Sequence, residues 1–406
     1  MENKDNMPLS GIKVVELATV VAAPSACELL CAYGAEVIKI EPPGKGDTMR
    51  YGGRQLNVPI GDNKNPIFTM HNNGKRFAAI NIQRPEGQEA LFRLLEEADV
   101  FVTNMRIEPI KRIGLDYDSL KERFPRLIYA DLTGFGKVGP DSRRRGYDTT
   151  AFWLRSGAVS EWQEGNGVPF YPAYGFGDLT TGMFLFSGIL MGLLARERTG
   201  RGTEITTSLF AASIWCNGNS LIRSQFNSNL KPDSKNPGCM LNNYYQCSDG
   251  KWIFMCSMNY KKDYKKISRL LGLDDICDDP RYADNETLVA SGAAPEGAAR
   301  FAQVFARHDS EYWRKLLNKN DVAFEFVGQI RDICTDRQAI KNNYITPVEF
   351  ADNTKLMMPL PPVQFSSYDR RDYVRTGPIG CDTENVLADI GYSEEEIQKL
   401  KEKKSI

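Results

Sequence analysis

The sequence predicts an α/β fold with a doubly wound, Rossmann-like parallel sheet and a second, smaller α+β domain. Three observations support this prediction. Short apolar runs alternate with helical stretches over the first 226 residues, the N-terminal segment reads strand, helix, strand, and a polar segment separates this pattern from a different one. Regular strand and helix alternation is typical of parallel sheets whose helices cover both faces.

The first element is IKVVEL at residues 12–17, a short apolar run that predicts a buried strand. A helix opens near Pro24, ends near Gly34 and leads into the strand EVIKIE, which completes a βαβ unit. The strand AAINI, a helix over 85–98 and the strands DVFVTN and LIYADLT continue the alternation. A long apolar helix over roughly 180–198 and the strand EITTSL extend the predicted sheet.

The composition changes at Asn227, where NSNLKPDSKNPG reads as a linker rich in Pro, Gly and Asn. Beyond it, YYQCSDGKWIFMCS predicts a hairpin around Asp249 and Gly250, and KDYKKISRLLGL and EGAARFAQVFARH predict helices. We therefore predict three segments: 1–226 in a large domain, 227–330 in a small α+β domain, and 331–406 as a return segment.

Charge and composition limit the classes of partner. Lys and Arg number 51 against 52 Asp and Glu, so the net charge of -1 gives no global reason to expect nucleic acid or an acidic membrane as partner. The polar start MENKDNMPLSG lacks the pattern of a signal peptide, and we expect no run long enough to span a bilayer. These features predict a cytoplasmic protein.

Cysteine and histidine usage argues against metal and histidine chemistry. The 9 Cys are scattered without a CxxC pair, so we read them as reduced thiols, and Cys27 and Cys31 as buried small hydrophobes. Only His71 and His308 are present, which leaves little material for a Ser-His-Asp triad or a multi-histidine metal site. We expect no metal and no prosthetic group, and carboxylates as the catalytic groups.

The segment AYGFGDLTTGMF places Asp178 between a glycine-rich turn and a long apolar helix. As a purely structural residue, Asp178 is expected to be the N-cap of that helix. As a functional residue, it is a nucleophile for a thioester, and Gly175 and Gly177 leave room and free N–H groups beside it. An NAD-dependent oxidoreductase is disfavoured, because the first βα turn, ATVVAAP, lacks GxGxxG.

The chain resembles the class III coenzyme A (CoA) transferases over nearly its whole length. The stretches that carry the resemblance include LSGIKVVELATVVAAP, YGAEVIKIEPPGKGD, NNGKRFAAINI, GYDTTAFWLRSG, GFGDLTTGMF and ERTGRGTEITTSL. The resemblance implies a large domain built from both chain ends and an interlocked homodimer. It also implies acyl-CoA and carboxylic acid as substrates, and Asp178 as a nucleophile that forms a mixed anhydride and then an aspartyl-CoA thioester.

The resemblance also implies which residues line the site. The acyl group would lie near Val21, Tyr147, Asp148, Gly175 and Gly177. The CoA contacts carried over from the family fall on Thr19, Val20, Ala22, Ile80, Gln83, Asn104, Met105, Arg112 and Arg145. Positively charged side chains in that set suit the phosphates of CoA, whereas a single Arg without the motif is more often a solvated surface charge.

Departures from the family motifs guide the choice of substrate. Val21 stands where formyl-CoA transferases carry Gln, which disfavours oxalate and formate, and Pro42 replaces a basic CoA contact of some members. Related α-methylacyl-CoA racemases use the His of a GHD triplet for proton transfer. The triplet is GYD here, which disfavours a racemase but leaves it as an alternative function. NPIFTMHNNGKR and TNMRIEPIKRIGLDYDSLK are similar to the branch that acts on 2-hydroxyisocaproate and phenyllactate. Carnitine, bile acids and a binding protein without catalysis remain alternatives.

Overall fold

The computed structural model describes residues 6–52, 58, 65–165, 167–226 and 233–406. Its contacts divide the chain into two compact units. The first unit comprises Met1–Ser160, Tyr171–Asn227 and Arg337–Ile406, and the second comprises Glu161–Phe170 and Ser228–Asp336. Residues 227–232 of the linker predicted at 227–238 lie outside the described residues. We keep the three predicted segments, 1–226, 227–330 and 331–406, as a proposal.

The described part of the first unit contains a six-stranded sheet in which every pairing is parallel. Its strands are β1 (Lys13–Leu17), β2 (Glu36–Glu41), β3 (Arg76–Ala79), β4 (Val100–Thr103), β5 (Ile128–Thr133) and β6 (Glu204–Ser208). The strand order β3-β2-β1-β4-β5-β6 reverses direction between β1 and β4. This is the doubly wound arrangement, so the prediction of an α/β fold with a parallel sheet is confirmed.

The central strands β1 and β4 are buried on both faces. All four residues of β4 are buried, as are four of the five in β1, which fits a sheet covered on both sides. The strand predicted over residues 78–82 begins and ends earlier in the structure. The chain leaves the sheet because the Asn81 N–H donates to the Ser405 carbonyl oxygen at 2.8 Å, outside the strand ladder.

Helices connect the strands of the first unit. Those before β6 are α1 (Ala22–Ala32), α2 (Met49–Gly52), α3 (Pro66–Asn72), α4 (Pro85–Glu97), α5 (Ile107–Arg112), α6 (Tyr117–Leu120), α7 (Ala158–Trp162) and α8 (Phe176–Thr199). A π-helical segment spans Asp148–Leu154, and α9 (Leu209–Cys216) and α10 (Gly218–Ser224) follow β6. Phe152 and Trp153 of the π-helical segment are both buried.

The expectation that no run is long enough to span a bilayer was wrong by length and composition, since the 24-residue α8 satisfies both. One face of α8 nevertheless packs into the first unit. Gly188 and Gly192 lie so close to Ile205 of β6 that a Cβ on either glycine would be 2.8 Å from its side chain. Arg196 is buried on the same face and pairs with Asp99 at 2.8 Å. Hence α8 is a core helix.

The C-terminal segment closes one edge of the parallel sheet. Its elements are α16 (Arg337–Lys341), the antiparallel pair β10 (Ile345–Glu349) and β11 (Lys355–Pro359), α17 (Thr383–Asp389) and α18 (Glu394–Glu402). Asp382 and Thr383 accept hydrogen bonds from the Phe77 and Ala79 N–H groups of β3, at 2.8 and 2.9 Å. These bonds satisfy edge groups that would otherwise be open to pairing with another chain.

The second unit has its own antiparallel sheet and its own core. Strands β7 (Asn243–Gln246), β8 (Trp252–Met255) and β9 (Phe324–Phe326) pair in the order β7-β8-β9, and β7 and β8 form the predicted hairpin. The helices are α11 (Tyr260–Leu270), α12 (Asp274–Asp278), α13 (Asn285–Ser291), α14 (Ala294–Phe305) and α15 (Ser310–Lys319), with 3₁₀ turns at Pro280–Tyr282 and Ile330–Thr335. Phe301, Phe305 and Trp313 anchor the core.

Candidate active site

A pocket of about 730 Å³ opens in the first unit at the carboxyl end of the parallel sheet. Its walls include Thr19, which follows β1, and Asn104, which follows β4. These two strands are neighbours at the point where the strand order reverses. Ligands of open parallel sheets bind at such a switch point, because the loops on either side diverge there and leave a crevice.

The loop after β1 is tied to the loop after β4 by a reciprocal pair of hydrogen bonds. The Thr19 N–H donates to Asn104 Oδ1 at 3.0 Å, and Asn104 Nδ2 donates to the Thr19 carbonyl oxygen at 2.8 Å. The loop leads into α1, whose N-cap residue Val21 provides no side-chain hydrogen bond to the first turn. Thr19, Val20, Val21 and Ala22 all line the pocket. The sequence-predicted loop and Asn104 are therefore brought together.

Asp178 lies in the first turn of α8 and lines the same pocket. The N-cap of this helix is Gly175, which adopts the left-handed conformation with φ 72°. The interpretation of Asp178 as an N-cap was therefore wrong, because the helix begins at Phe176 and Asp178 is its third residue. The carboxylate is left available to the pocket.

Asp148 takes over the capping of α8 from a distance of 30 residues in sequence. Its Oδ2 accepts the Gly175 N–H at 3.2 Å, and its Oδ1 accepts the Asp178 N–H at 3.1 Å. The expectation of free N–H groups at Gly175 and Gly177 was therefore wrong, since Asp148 accepts from both residues. The expected room at Gly177 is needed: a Cβ there would lie 2.3 Å from Asp148 Oδ1 and 2.4 Å from Phe152 Cγ.

The electrostatic environment makes Asp178 a basic carboxylate. Burial raises the pKa of Asp178 to about 7, and the nearby charge of Asp148 adds to the rise. Burial also raises the pKa of Asp148, while the N–H groups of Gly177, Asp178 and Gly175 oppose that rise. A carboxylate with a raised pKa is a stronger nucleophile once ionised, and perturbed pairs of this kind cluster at functional sites.

Positively charged side chains line the pocket. Arg112 and Arg145, both predicted, are part of its walls, and Met105 lies nearby in the same wall. The sequence interpretation did not include four further cations: Arg106, Lys137, Arg143 and Arg144. The three consecutive arginines at 143–145 could have indicated from sequence that positive charge is clustered at this site. Such clustered cations favour phosphate groups.

Most sequence-predicted site residues line the pocket, but four do not. Those in its walls are Thr19, Val20, Val21, Ala22, Asn104, Met105, Arg112, Arg145, Tyr147, Asp148 and Asp178. Gly175 and Gly177 lie behind Asp148 at the start of α8. Ile80 packs in the hydrophobic core, and Gln83 is exposed outside the pocket wall. Roles for all of these residues stay predictions.

The described residues hold no cluster of three His, Cys, Asp or Glu side chains with the geometry of a metal site. Cys27 and Cys31 are buried free thiols, as predicted. Tyr174, which was not predicted, also lines the pocket, and its hydroxyl lies 3.5 Å from Met49 Sδ. Burial is the main cause that raises the pKa of Tyr174, and the negative charges of Asp178 and Asp148 add to the rise. The pocket thus combines a basic carboxylate, a phenol and a cationic rim.

Comparison with known proteins decides the family. Residues 9–383 match the model of CoA-transferase family III. The chain belongs to CoA-transferase family III. It is similar to a protein of Clostridioides difficile described as (R)-2-hydroxy-4-methylpentanoate CoA-transferase, with 32% identity over 98% of this chain and 100% of that protein. It is similar to Clostridium sporogenes cinnamoyl-CoA:phenyllactate CoA-transferase, also 32% identical, over 100% and 98% of the two chains.

The fold comparison agrees with the sequence comparison. A crystal structure of a CAIB/BAIF family protein from Brucella suis has a TM-score of 0.80 and 29% identity, and covers 95% of this chain and 100% of that one. This protein is thus an enzyme, a class III CoA-transferase, and enzymes of this family use CoA thioesters and carboxylic acids as substrates. The predicted family and reaction class are confirmed.

Proposed function

We propose that this class III CoA-transferase moves CoA from a 2-enoyl-CoA, such as isocaprenoyl-CoA or cinnamoyl-CoA, to an (R)-2-hydroxy acid, with Asp178 as the nucleophile. The observation that carries the proposal is the placement of Asp178. It is a partly buried carboxylate with a pKa of about 7 in a pocket that cations line. The other two carboxylates of the pocket wall are engaged: Asp148 accepts the Gly175 and Asp178 N–H groups, and Glu108 pairs with Arg143 at 3.0 Å.

The proposed reaction proceeds through covalent intermediates of two kinds on Asp178: a mixed anhydride, formed first with the donor and later with the acceptor, and an aspartyl-CoA thioester between them. An ionised Oδ attacks the thioester carbonyl, and expulsion of the CoA thiolate leaves a mixed anhydride. The thiolate then attacks the Asp178 carboxyl carbon, which releases the donor acid and leaves an aspartyl-CoA thioester. The acceptor carboxylate and the returning thiolate repeat these two steps in reverse order, and the Asp178 carboxylate is regenerated. Each bond broken is matched by one formed.

Neighbouring groups support each role in the proposed reaction. Asp148 keeps the α8 N–H groups occupied, so the helix start does not stabilise ionised Asp178 and weaken its nucleophilicity. Arg112, Arg145 and Arg106 provide charges for the CoA phosphates. Remote binding of CoA in this way supplies energy that positions the thioester for attack.

The two relatives named above support the substrate branch. Their names describe action on 2-hydroxy-4-methylpentanoate and phenyllactate, which are 2-hydroxy acids with apolar side chains. Apolar wall residues of the pocket, including Val21, Leu132 and Leu209, are compatible with such chains. Oxalate, which the valine at position 21 disfavours, belongs in the test as a competing acceptor.

The test is CoA exchange with a panel of donors and acids, followed by mass spectrometry. We expect 2-hydroxyisocaproate or phenyllactate to accept CoA in preference to carnitine, oxalate and a bile acid. Intact-protein mass spectrometry of the quenched reaction is expected to detect CoA bound to the wild-type chain. Asp178→Ala is expected to lose both signals, whereas Asp118→Ala, which changes an exposed carboxylate, keeps them. Exchange by Asp178→Ala, or epimerisation without exchange, would refute the proposed mechanism.

We also propose that the protein is an interlocked homodimer in the cytoplasm. Large apolar side chains are exposed on α8, α9 and α10: Leu194 is 65% exposed, Trp215 77% and Ile222 59%. Exposed apolar patches of this kind mark association surfaces. All described cysteines are free thiols, which is typical of a reducing compartment.

Light scattering of the purified protein tests the homodimer. We expect the mass of a dimer for the wild type. For Trp215→Glu we expect a lower yield of dimer after refolding from denaturant, because interlocked chains separate only when they unfold. Val289→Glu is the matched control, because Val289 is similarly exposed but belongs to α13 of the second unit. A monomeric wild-type protein at assay concentrations would contradict the proposal.

A further inference from the structure

Four charged side chains are completely buried beneath the loop that follows β1. Lys39 Nζ lies 2.6 Å from Glu16 Oε1 and 3.0 Å from Asp47 Oδ2, and Lys75 Nζ lies 2.6 Å from Glu16 Oε2. The two lysines and the two acidic residues carry formal charges that sum to zero, and each charge has at least one partner of opposite sign within the group. Burying these charges is costly unless each is paired, and the sequence motifs gave none of them a role.

The loop above this group contains a strained residue. Val20 adopts φ 73°, in the left-handed region that a β-branched side chain avoids. Its N–H donates to both carboxylate oxygens of Asp47, at 3.0 and 3.2 Å. Strained backbone of this kind persists only where the surroundings impose it, and Asp47 is the hydrogen-bond acceptor that does so.

Asp47 is itself rigidly held. Besides Lys39, the Met49 N–H donates to its Oδ1 at 2.9 Å, and its own N–H donates to Glu41 Oε1 at 2.8 Å. Lys39 also donates to the Ala18 carbonyl oxygen at 2.8 Å, at the base of the same loop. Although burial alone would lower the Lys39 pKa, Glu16 and Asp47 raise it above its usual range, so the ammonium stays charged. The buried charged group thus fixes the loop at Ala18 and Val20, in addition to the bonds between Thr19 and Asn104.

The conformation of Val20 decides how the pocket wall faces Asp178. Val20 stands between Thr19 and Val21, and all three line the pocket that contains Asp178. The start of α1, which follows this loop, packs closely against α8, since a Cβ on Gly182 of α8 would lie 2.6 Å from the Ala22 carbonyl oxygen. A change of φ at Val20 would therefore redirect the backbone of Val21 relative to the carboxylate.

We propose that Asp47 is a positioning residue for the CoA-transferase reaction, acting through the Val20 N–H. It holds Val20 in its left-handed conformation and so sets the pocket wall in the geometry that acyl transfer needs. Lys39, Glu16 and Lys75 keep the Asp47 carboxylate in place. Asp47 lies outside the pocket wall, so it touches neither CoA nor the acyl group and acts only through the backbone of Val20.

The test compares Asp47→Ala with Asp47→Ala/Val20→Gly. For Asp47→Ala we expect kcat of CoA exchange to fall about 10- to 100-fold, the range associated with a small misplacement of reacting groups. KM for the acyl-CoA is expected to change less than about threefold, because the cationic wall is intact. Glycine adopts positive φ without strain, so the double variant should recover most of the kcat of Val20→Gly alone.

Two further variants separate positioning from loss of stability. Asp116→Asn changes another buried carboxylate of the first unit, one that accepts the Ser119 hydroxyl at 2.6 Å. It is expected to lower the melting temperature without lowering kcat. If Asp47→Ala does not fold, Asp47→Ala/Lys39→Met takes its place, because it removes the acceptor of the Val20 N–H without leaving the Lys39 charge short of a partner. Wild-type kcat in the folded Asp47 variant, or no recovery with Val20→Gly, would overturn the proposal.

Discussion

The strongest prediction concerns the pH dependence of the reaction and its change in Asp148→Asn. Asp178 must be ionised to attack the thioester, and its pKa is raised from its ordinary value of 3.8 to about 7. Burial is the larger cause and the charge of Asp148 the smaller. Replacing Asp148 with Asn removes that charge but keeps an oxygen that accepts one of the α8 N–H groups.

The expected magnitudes follow from these values. With a pKa of about 7, the ionised fraction of Asp178 is about one tenth at pH 6 and about nine tenths at pH 8, so kcat/KM should rise about tenfold. Because Asp148 accounts for the smaller part of the rise, Asp148→Asn should move the midpoint down by on the order of one pH unit. The direction is fixed: losing a neighbouring negative charge favours ionisation of Asp178.

The assay is kcat/KM for CoA exchange from about pH 5.5 to about pH 8.5, with each profile scaled to its own plateau, since kcat/KM reports the free enzyme. Scaling matters because the variant also loses a cap of α8 and with it some activity at every pH. Asp118→Asn is the control, because its carboxylate is exposed and pairs with Lys121. A flat wild-type profile, or a midpoint that rises in Asp148→Asn, would refute the reasoning.

Three further predictions test the same site. Asp178→Asn is expected to unfold at a higher temperature than the wild type at pH 8 but not at pH 3, because a raised pKa means that the fold loses stability as Asp178 ionises between about 4 and 7. Gly177→Ala places a Cβ 2.3 Å from a carboxylate oxygen of Asp148, so we expect the free energy of unfolding to fall by about 1–3 kcal/mol and CoA exchange to be lost. Gly218→Ala is the control: a Cβ there would have no atom within 4 Å, so its thermal unfolding should be close to that of the wild type. Arg145→Ala should raise KM for acyl-CoA about fivefold in a steady-state assay, with little change in kcat, and the rise in KM should shrink at high salt. Arg143→Ala should raise KM less, because Arg143 already pairs with Glu108 at 3.0 Å.

Local patterns in the sequence were sufficient to predict that the strands of the sheet exist, but not where each one ends. The buried runs of β1 and β4 and the helix at Pro85–Glu97 were predicted because apolar periodicity is a property of neighbouring residues. The strand predicted over 78–82 was shifted, since its end depends on Ser405 at the far end of the chain. The apolar segment of α8 was judged too short to span a bilayer, because its glycines and Arg196 interrupt the run of large apolar residues.

By itself, the sequence determined the fold class, the family and the choice of Asp178 as the residue to test. These depend on periodicity and on motifs that are contiguous in the chain. Only the tertiary structure decided that Gly175 rather than Asp178 caps α8, that Asp148 occupies its N–H groups, and that Asp47 holds Val20. These are hydrogen bonds between segments distant in sequence, and their partners are fixed by the path of the folded chain, which no local pattern encodes.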